Sequence, residues 1–343
     1  MNLFSPAEVV ANYAAAGAAK TRLPVWKILL LGMLAGFCIA TAAAATNVIS
    51  HNAGAAASVR LLSGLVFPLG LIMVILLGAE LFTGNCLISI AVLDGTATVG
   101  GMLRNWSCAY VGNFVGAALT AAACVYAGQL HYSDGGLALF TMKLAAAKCA
   151  LAFVPAVLLG VLCNVLVCAA VLLALSGKDL CGRAAGAYFP VAFFVMCGFE
   201  HSVANMFYVP AALFAKSVPL YAQKAADAGL DLSGLTWKNF LAGNLLPVTL
   251  GNVVGGVLFG GGTGVVQQLV AHPGQQGLRD RTLIGEIEVE RALAHLGAGG
   301  DILHAGLGGA PLQKQLVSCV QKRTALFLFL SFHGAHSLLH PLF

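Results

Sequence analysis

Charge is scarce in this chain. Only 9% of its 343 residues are Asp, Glu, Lys or Arg, while 59% are hydrophobic, and the mean hydropathy is +0.88. Ordinary soluble domains carry about 25% charge, so a water-soluble fold is excluded and a polytopic membrane protein is indicated. The net charge of +5 is modest and reads as loop orientation, not as a nucleic-acid surface. None of the 10 Cys forms a CxxC pair, which argues against zinc and redox sites. Most, such as Cys38, Cys124, Cys163 and Cys168, sit inside apolar runs as small hydrophobes. There is no GxSG elbow, and adjacent residues on a helix point about 100° apart, so His201 beside Ser202 makes a poor intramembrane hydrolase. Of the 9 His, His201 alone falls within an apolar run, short of the two that a haem or quinone site needs. No cofactor or metal is expected, and no enzymatic activity. The chain is instead rich in glycine, 41 residues, and in alanine. Such small residues let helices approach closely in lipid.

A membrane span needs about 20 apolar residues. Six runs qualify, at 26–48, 61–92, 108–127, 149–176, 188–215 and 240–270. The second and fifth are long for one helix, and they contain the two carboxylates at membrane depth. Ala79 to Asn85 reads AELFTGN, with Glu80 and Asn85. Gly198 to Phe207 reads GFEHSVANMF, with Glu200 and Asn205. Each of these runs is expected to be two half-helices joined by a loop. The expected fold class is therefore an all-α membrane protein with six transmembrane helices, the second and fifth broken. Residues 1–24 form a polar leader in which Ser5-Pro6-Ala7-Glu8 combines a capping box with Pro at the first helical position. An amphipathic helix at the membrane surface is expected there. The first run is too long, and too far from the start, to be a cleavable signal.

The Lys and Arg set the expected topology. Lys20, Arg22, Lys27, Arg104, Lys178 and Arg183 share one side with the basic residues of the tail. Arg60, Lys143, Lys148, Lys216, Lys224 and Lys238 fall on the other. The positive-inside rule then places both termini in the cytoplasm of a multi-pass cell-membrane protein.

The chain also repeats itself. GMLAGFCIATA from Gly32 pairs with GVLCNVLVCAA from Gly160, and Glu80…Asn85 with Glu200…Asn205. GNFVG from Gly112 pairs with GNVVG from Gly251. Each copy holds three spans, an odd number, so the second enters the membrane from the opposite side. Corresponding broken segments in an inverted repeat point to a site near the midplane.

Irregular backbone at membrane depth survives only where protein or water satisfies it, and a bare carboxylate there is expensive. Glu80 and Glu200 are expected to cap the half-helices that follow them, accepting free N–H groups at the positive dipole end. Asn85 and Asn205 can serve the same loops. His201 sits at a break, beside Glu200, where an imidazole can carry or lend a proton. Asn164, mid-run in the fourth segment, is its polar partner or else a bond to a neighbouring helix. Lys148, at the outer end of that segment, reads as an interfacial anchor or as an attractor for anions.

AELFTGN, GFEHSVANMF and PVTLGN, from Pro247 to Asn252, together resemble the formate/nitrite transporter family, in continuous order over about residues 5–270. The resemblance implies a homopentamer of six-span protomers with an aquaporin-like inverted repeat of three plus three spans, each protomer holding its own pore. Leu81, Phe82 and Thr83 correspond to the loop of the second span, with Leu81 at a constriction. Thr83 and Asn164 correspond to the hydrogen-bond partners of a central His, here His201. Phe67 and Leu71 correspond to a slit on the cytoplasmic side, Phe194 and Val167 to the other apolar walls, and Lys148 to a basic residue at the outer vestibule. A small monovalent anion would gather there and pass as the weak acid, or with a proton, aided by His201. Formate is the first expectation, with nitrite or hydrosulfide as alternatives. A neutral-solute channel of aquaporin type is the reading from a different class, although NPA motifs are absent.

Residues 271–343 lie outside the resemblance and are expected to be a cytoplasmic tail with little regular structure. Residues 284–295 set Glu286, Glu288 and Glu290 against Arg291 in a short helix. Residues 297–309 are Gly-rich, and the apolar run 326–332 is too short to span. GGGTG at Gly260 lacks the Lys-Ser/Thr of a phosphate loop.

Overall fold

A computed structural model describes residues 3–271, with side chains up to residue 265. The expectations for the tail beyond 271 lie outside these residues. The first helix, α1 (Pro6–Arg22), starts as its sequence dictates. Glu8 N donates to Ser5 Oγ at 3.3 Å and Ser5 N to Glu8 Oε2 at 2.7 Å. The Ser5 backbone N–H and hydroxyl hold the Glu8 carboxyl below its ordinary pKa. Residues Val9, Tyr13, Ala14, Gly17 and Ala18 make a buried stripe, and the helix packs on the C-terminal end of the second span and on the fourth. The helix is thus docked against the bundle.

The spans follow in order. α2 (Val25–Ser50) crosses once. The second span is α3 (Ala56–Val66) and α4 (Pro68–Leu76), then a break, then the short α5 (Phe82–Asn85) and α6 (Ile88–Leu93). α7 (Val99–Tyr126) is the third span. α8 (Tyr132–Cys149) lies between the third and fourth and was not foreseen, since Lys143 and Lys148 were counted as charges between spans. α9 (Phe153–Ser176) is the fourth span. The fifth joins α10 (Leu180–Met196) to α11 (Ser202–Lys216) across a second break. α11 then bends by 93° into α12 (Pro219–Asp227), outside the six apolar runs. A π-helical turn (Asn239–Leu245) leads into α13 (Leu246–Ala271), the sixth span. Five of these helices or helix pairs are individually long and apolar enough to cross a membrane. In the fifth span α10 is a shorter apolar helix, and α11 reaches a spanning length only together with the bent α12. Among the described residues there is no strand beyond one bridge between Leu3 and Gly177.

The two halves cross in the same way. A Cβ added at Gly36 would lie 2.2 Å from Asn113 O, and one at Gly116 would lie 2.1 Å from Met33 O. In the second half, a Cβ at Gly251 would lie 2.1 Å from Val157 O, and one at Gly255 would lie 2.2 Å from Val161 O. The GNxVG motifs are therefore contact surfaces on which α7 meets α2 and α13 meets α9, backbone against backbone. The architecture is an aquaporin-like inverted repeat of three plus three spans with broken second and fifth helices.

The contact distances predict the effect of enlarging these glycines. Gly116→Val and Gly255→Val should destabilise the fold by about 3 kcal/mol or more, since overpacking a rigid contact costs roughly 1–3 kcal/mol even when side chains can move aside. Gly100→Ala, where a Cβ meets nothing within 4 Å, should be nearly neutral. Thermal unfolding of the purified protein in detergent reads both.

Candidate functional site

The two breaks are built alike. Gly78 (φ +66) and Gly198 (φ +73) turn the chain out of α4 and α10 in the left-handed region that glycine enters without strain. Two residues on, Glu80 N donates to Leu31 O at 3.1 Å and Glu200 N to Leu159 O at 3.3 Å. A single asparagine then closes each break. Asn113 Nδ2 donates to Gly32 O (2.8 Å) and Glu80 O (2.9 Å), and its Oδ1 accepts from Phe82 N (2.9 Å). Asn252 does the same with Gly160 O (2.8 Å), Glu200 O (3.0 Å) and Ser202 N (2.9 Å). Each of these side chains spends both its N–H donors and its acceptor oxygen on backbone that would otherwise be stranded.

Glu80 and Glu200 do not cap the half-helices, contrary to expectation; Asn113 and Asn252 take those N–H groups. The carboxylates bind side chains instead. Glu80 Oε1 accepts from Lys20 Nζ at 2.8 Å, and its Oε2 from Asn85 Nδ2 (2.7 Å) and Asn105 Nδ2 (3.1 Å). Glu200 Oε1 accepts from Lys148 Nζ and Oε2 from Asn205 Nδ2, both at 2.7 Å. Asn244 completes the second set, accepting from Asn205 at 2.8 Å and donating to Lys148 O at 2.9 Å. Both carboxylates are buried, so losing either lysine would leave an uncompensated charge, at a cost of roughly 3–5 kcal/mol.

Lys20, Asn105, Asn113 and Asn244 escaped the sequence reading, yet a signal was present. Lys20 precedes Gly32 by the same interval as Lys148 precedes Gly160, and Asn105 precedes Gly112 as Asn244 precedes Gly251. The repeat extends further than the motifs compared.

Between the breaks the symmetry ends. Leu81 and His201 occupy equivalent positions, each the extended N-cap residue of the short helix after its break. His201 Nδ1 accepts from Ala204 N at 3.1 Å, and Nε2 lies 2.9 Å from Thr83 Oγ1. Because Nδ1 accepts from a backbone N–H, the ring proton of neutral His201 is on Nε2 and is donated to Thr83. Residues 118 positions apart thus join the first break to the second. Phe194 stacks on the imidazole at 5.9 Å, and Phe67 meets Phe194 edge-on at 6.0 Å. Phe82 is wedged elsewhere, edge-on to Tyr110 at 4.9 Å and Trp106 at 6.3 Å. Trp106 Nε1 and Tyr13 OH donate to Asn85 O (2.8 Å) and Gly84 O (3.1 Å), fixing the same loop.

Of its two expected roles, Asn164 takes the bond to a neighbouring helix and does not reach His201: its Nδ2 donates to Asn252 O at 2.6 Å, bracing the asparagine that holds the second break. Phe67 is paired edge-on with Phe194. Lys148 is not a free cation but the partner of Glu200. Leu71, Leu81 and Val167 are buried. Four buried oxygens, Ser89 Oγ, Asn164 Oδ1, Ser202 Oγ and Asn205 Oδ1, have no partner among the described residues; unmet polar groups of this kind are exceptional in a protein interior.

Comparison with known proteins agrees with this geometry. The family model described as Formate/nitrite transporter matches residues 7–266. The probable formate transporter of Methanothermobacter thermautotrophicus is 38% identical over 273 residues, covering 74% of this chain and 93% of that protein. The formate channel FocA of Haemophilus influenzae is 40% identical over 231 residues, covering 66% and 81%. A solved structure described as a pentameric formate channel with formate bound superposes with a TM-score of 0.65 at 34% identity, over 71% of this chain and 98% of that one. The matched asparagines, the broken helices and these similarities agree on one conclusion: the chain belongs to the formate/nitrite transporter family.

Proposed function

We propose that this protein is a formate channel or transporter in the cell membrane, assembled as a homopentamer with a pore in each protomer and both termini in the cytoplasm. The observation that carries the reading is the His201–Thr83 hydrogen bond, the polar crossing between two helix breaks with apolar side chains around it. The relatives named for formate support the substrate, and the pentameric relative supports the assembly.

The geometry refines the role of His201. Protonation at Nδ1 would set an N–H against the Ala204 N–H and undo the cap. His201 therefore acts as a neutral Nε2–H donor. A carboxylate oxygen entering between Nε2 and Thr83 Oγ1 takes that N–H, and the Thr83 hydroxyl can then donate as well. Carrying a bare formate ion past Leu81, Phe82, Phe67, Phe194, Leu71 and Val167 would incur its full desolvation cost. Formate instead takes a proton from the aqueous vestibule as it leaves water, and crosses as formic acid between these two polar groups. Nitrite and hydrosulfide, also anions of weak acids, fit the same chemistry.

His201→Phe should lower formate flux on the order of tenfold, the loss of roughly 1–1.5 kcal/mol of hydrogen bonding at a dry barrier, while His201→Asn should keep part of it through its amide N–H. Proteoliposome flux at two pH values reads this, and unchanged flux in the Phe variant would sink the role of His201. Native mass spectrometry of the purified protein should show five copies; a stable monomer or dimer would refute the assembly.

A further inference from the structure

Lys148 was expected to draw anions to the outer mouth, but it is 2.7 Å from Glu200 Oε1 and its side chain is only 13% exposed. A neighbouring opposite charge cancels most of its field at a distance. We propose that Arg60 is the residue that recruits the anionic substrate at this mouth. It stands at the solvent end of the side-chain row that leads to Phe67, Phe194 and His201.

Helical register sets the direction. Arg60, Gly64, Phe67 and Leu71 follow at intervals of four, three and four along α3 and α4, which places them on one face. Phe67 and Leu71 on that face are buried, whereas Leu61, Leu65 and Leu69 on the opposite face are exposed. Gly64 brings α3 hard against α10, where a Cβ would lie 2.5 Å from Met196 Cγ. Arg60 is exposed, one turn further out on the inward-facing row. Its Nη1 is 3.4 Å from Met196 O, and a Cβ on Gly198 would lie 3.6 Å from the same nitrogen. The guanidinium therefore hangs over the turn that opens the second break, and His201 is three residues further along.

Arg60 has no carboxylate partner among the described residues, whose ion pairs are Lys20–Glu80, Lys148–Glu200 and Lys224–Asp134. Its contact with Met196 O is long for a hydrogen bond and leaves most of its five N–H donors unused. Arg60 also sits at the C-terminus of α10, where a cation stabilises the helix dipole. That second role is structural, and its signature is different.

The proposal rests on the reading of the chain as a formate transporter. The test is labelled formate uptake into right-side-out membrane vesicles at low and physiological ionic strength. The Debye length falls from about 30 Å at 0.01 M to about 8 Å at 0.15 M. Arg60→Gln should lower the initial rate about three- to tenfold at low salt and less than about twofold at 0.15 M, as steering by an exposed charge requires. Arg60→Lys should keep most of the low-salt rate. A capping role alone would lower the melting temperature of Arg60→Gln and leave the salt dependence of uptake at its wild-type slope, which overturns the proposal. If the Gln variant is too unstable to assay, Arg60→Lys at wild-type rate and slope supports it, and the Lys variant with a flat salt response overturns it. Wild-type vesicles with no formate uptake would overturn the transport reading itself, and this proposal with it.

Discussion

The structure depends on one constraint: backbone that leaves the helical ladder inside lipid must find its hydrogen bonds within the protein. Two breaks create that problem and two asparagines solve it. Asn113 and Asn252 each make three bonds to backbone, two given and one taken. For each asparagine to reach, its helix must lie against the span that carries Gly32 or Gly160. The flanking glycines permit that approach. The GNxVG motif is thus a single device, in which the glycines set the distance and the asparagine uses it.

The carboxylates follow from this. Once the asparagines satisfy the backbone, Glu80 and Glu200 are free to bind side chains, and each ties a break to a lysine from another element. Buried ion pairs of this kind are weak evidence for stability, because desolvation offsets most of the attraction. What they provide is placement. Lys20 fastens α1 to the first break, and Lys148, near the end of α8, fastens that helix to the second.

Much of this was legible in the sequence. The class, the six spans, both breaks and the repeat follow from hydropathy, two intramembrane carboxylates and three matched segments. The partners of Glu80 and Glu200 were missed, because a carboxylate before a short helix fits a cap as well as it fits an ion pair. Only the path of α7 and α13 decides between them. α8 was missed because Lys143 and Lys148 were counted as the charges of a loop between spans. Asn164 shows the same limit at the site. A polar side chain in mid-span announces a bond, and the fold alone reveals that the bond goes to Asn252 O.

Leu81 and His201 are where the two copies of the repeat part company. Both residues have extended backbone at the start of a half-helix, so duplication alone would place like against like. With one of each, a single N–H points at Thr83, which stands in the first break at the position that Val203 fills in the second. The hydrogen-bonding pair is therefore drawn from non-equivalent positions of the two copies. An inverted repeat can fold both halves with one set of asparagines, glutamates and lysines, and it can still place its chemistry where those halves differ.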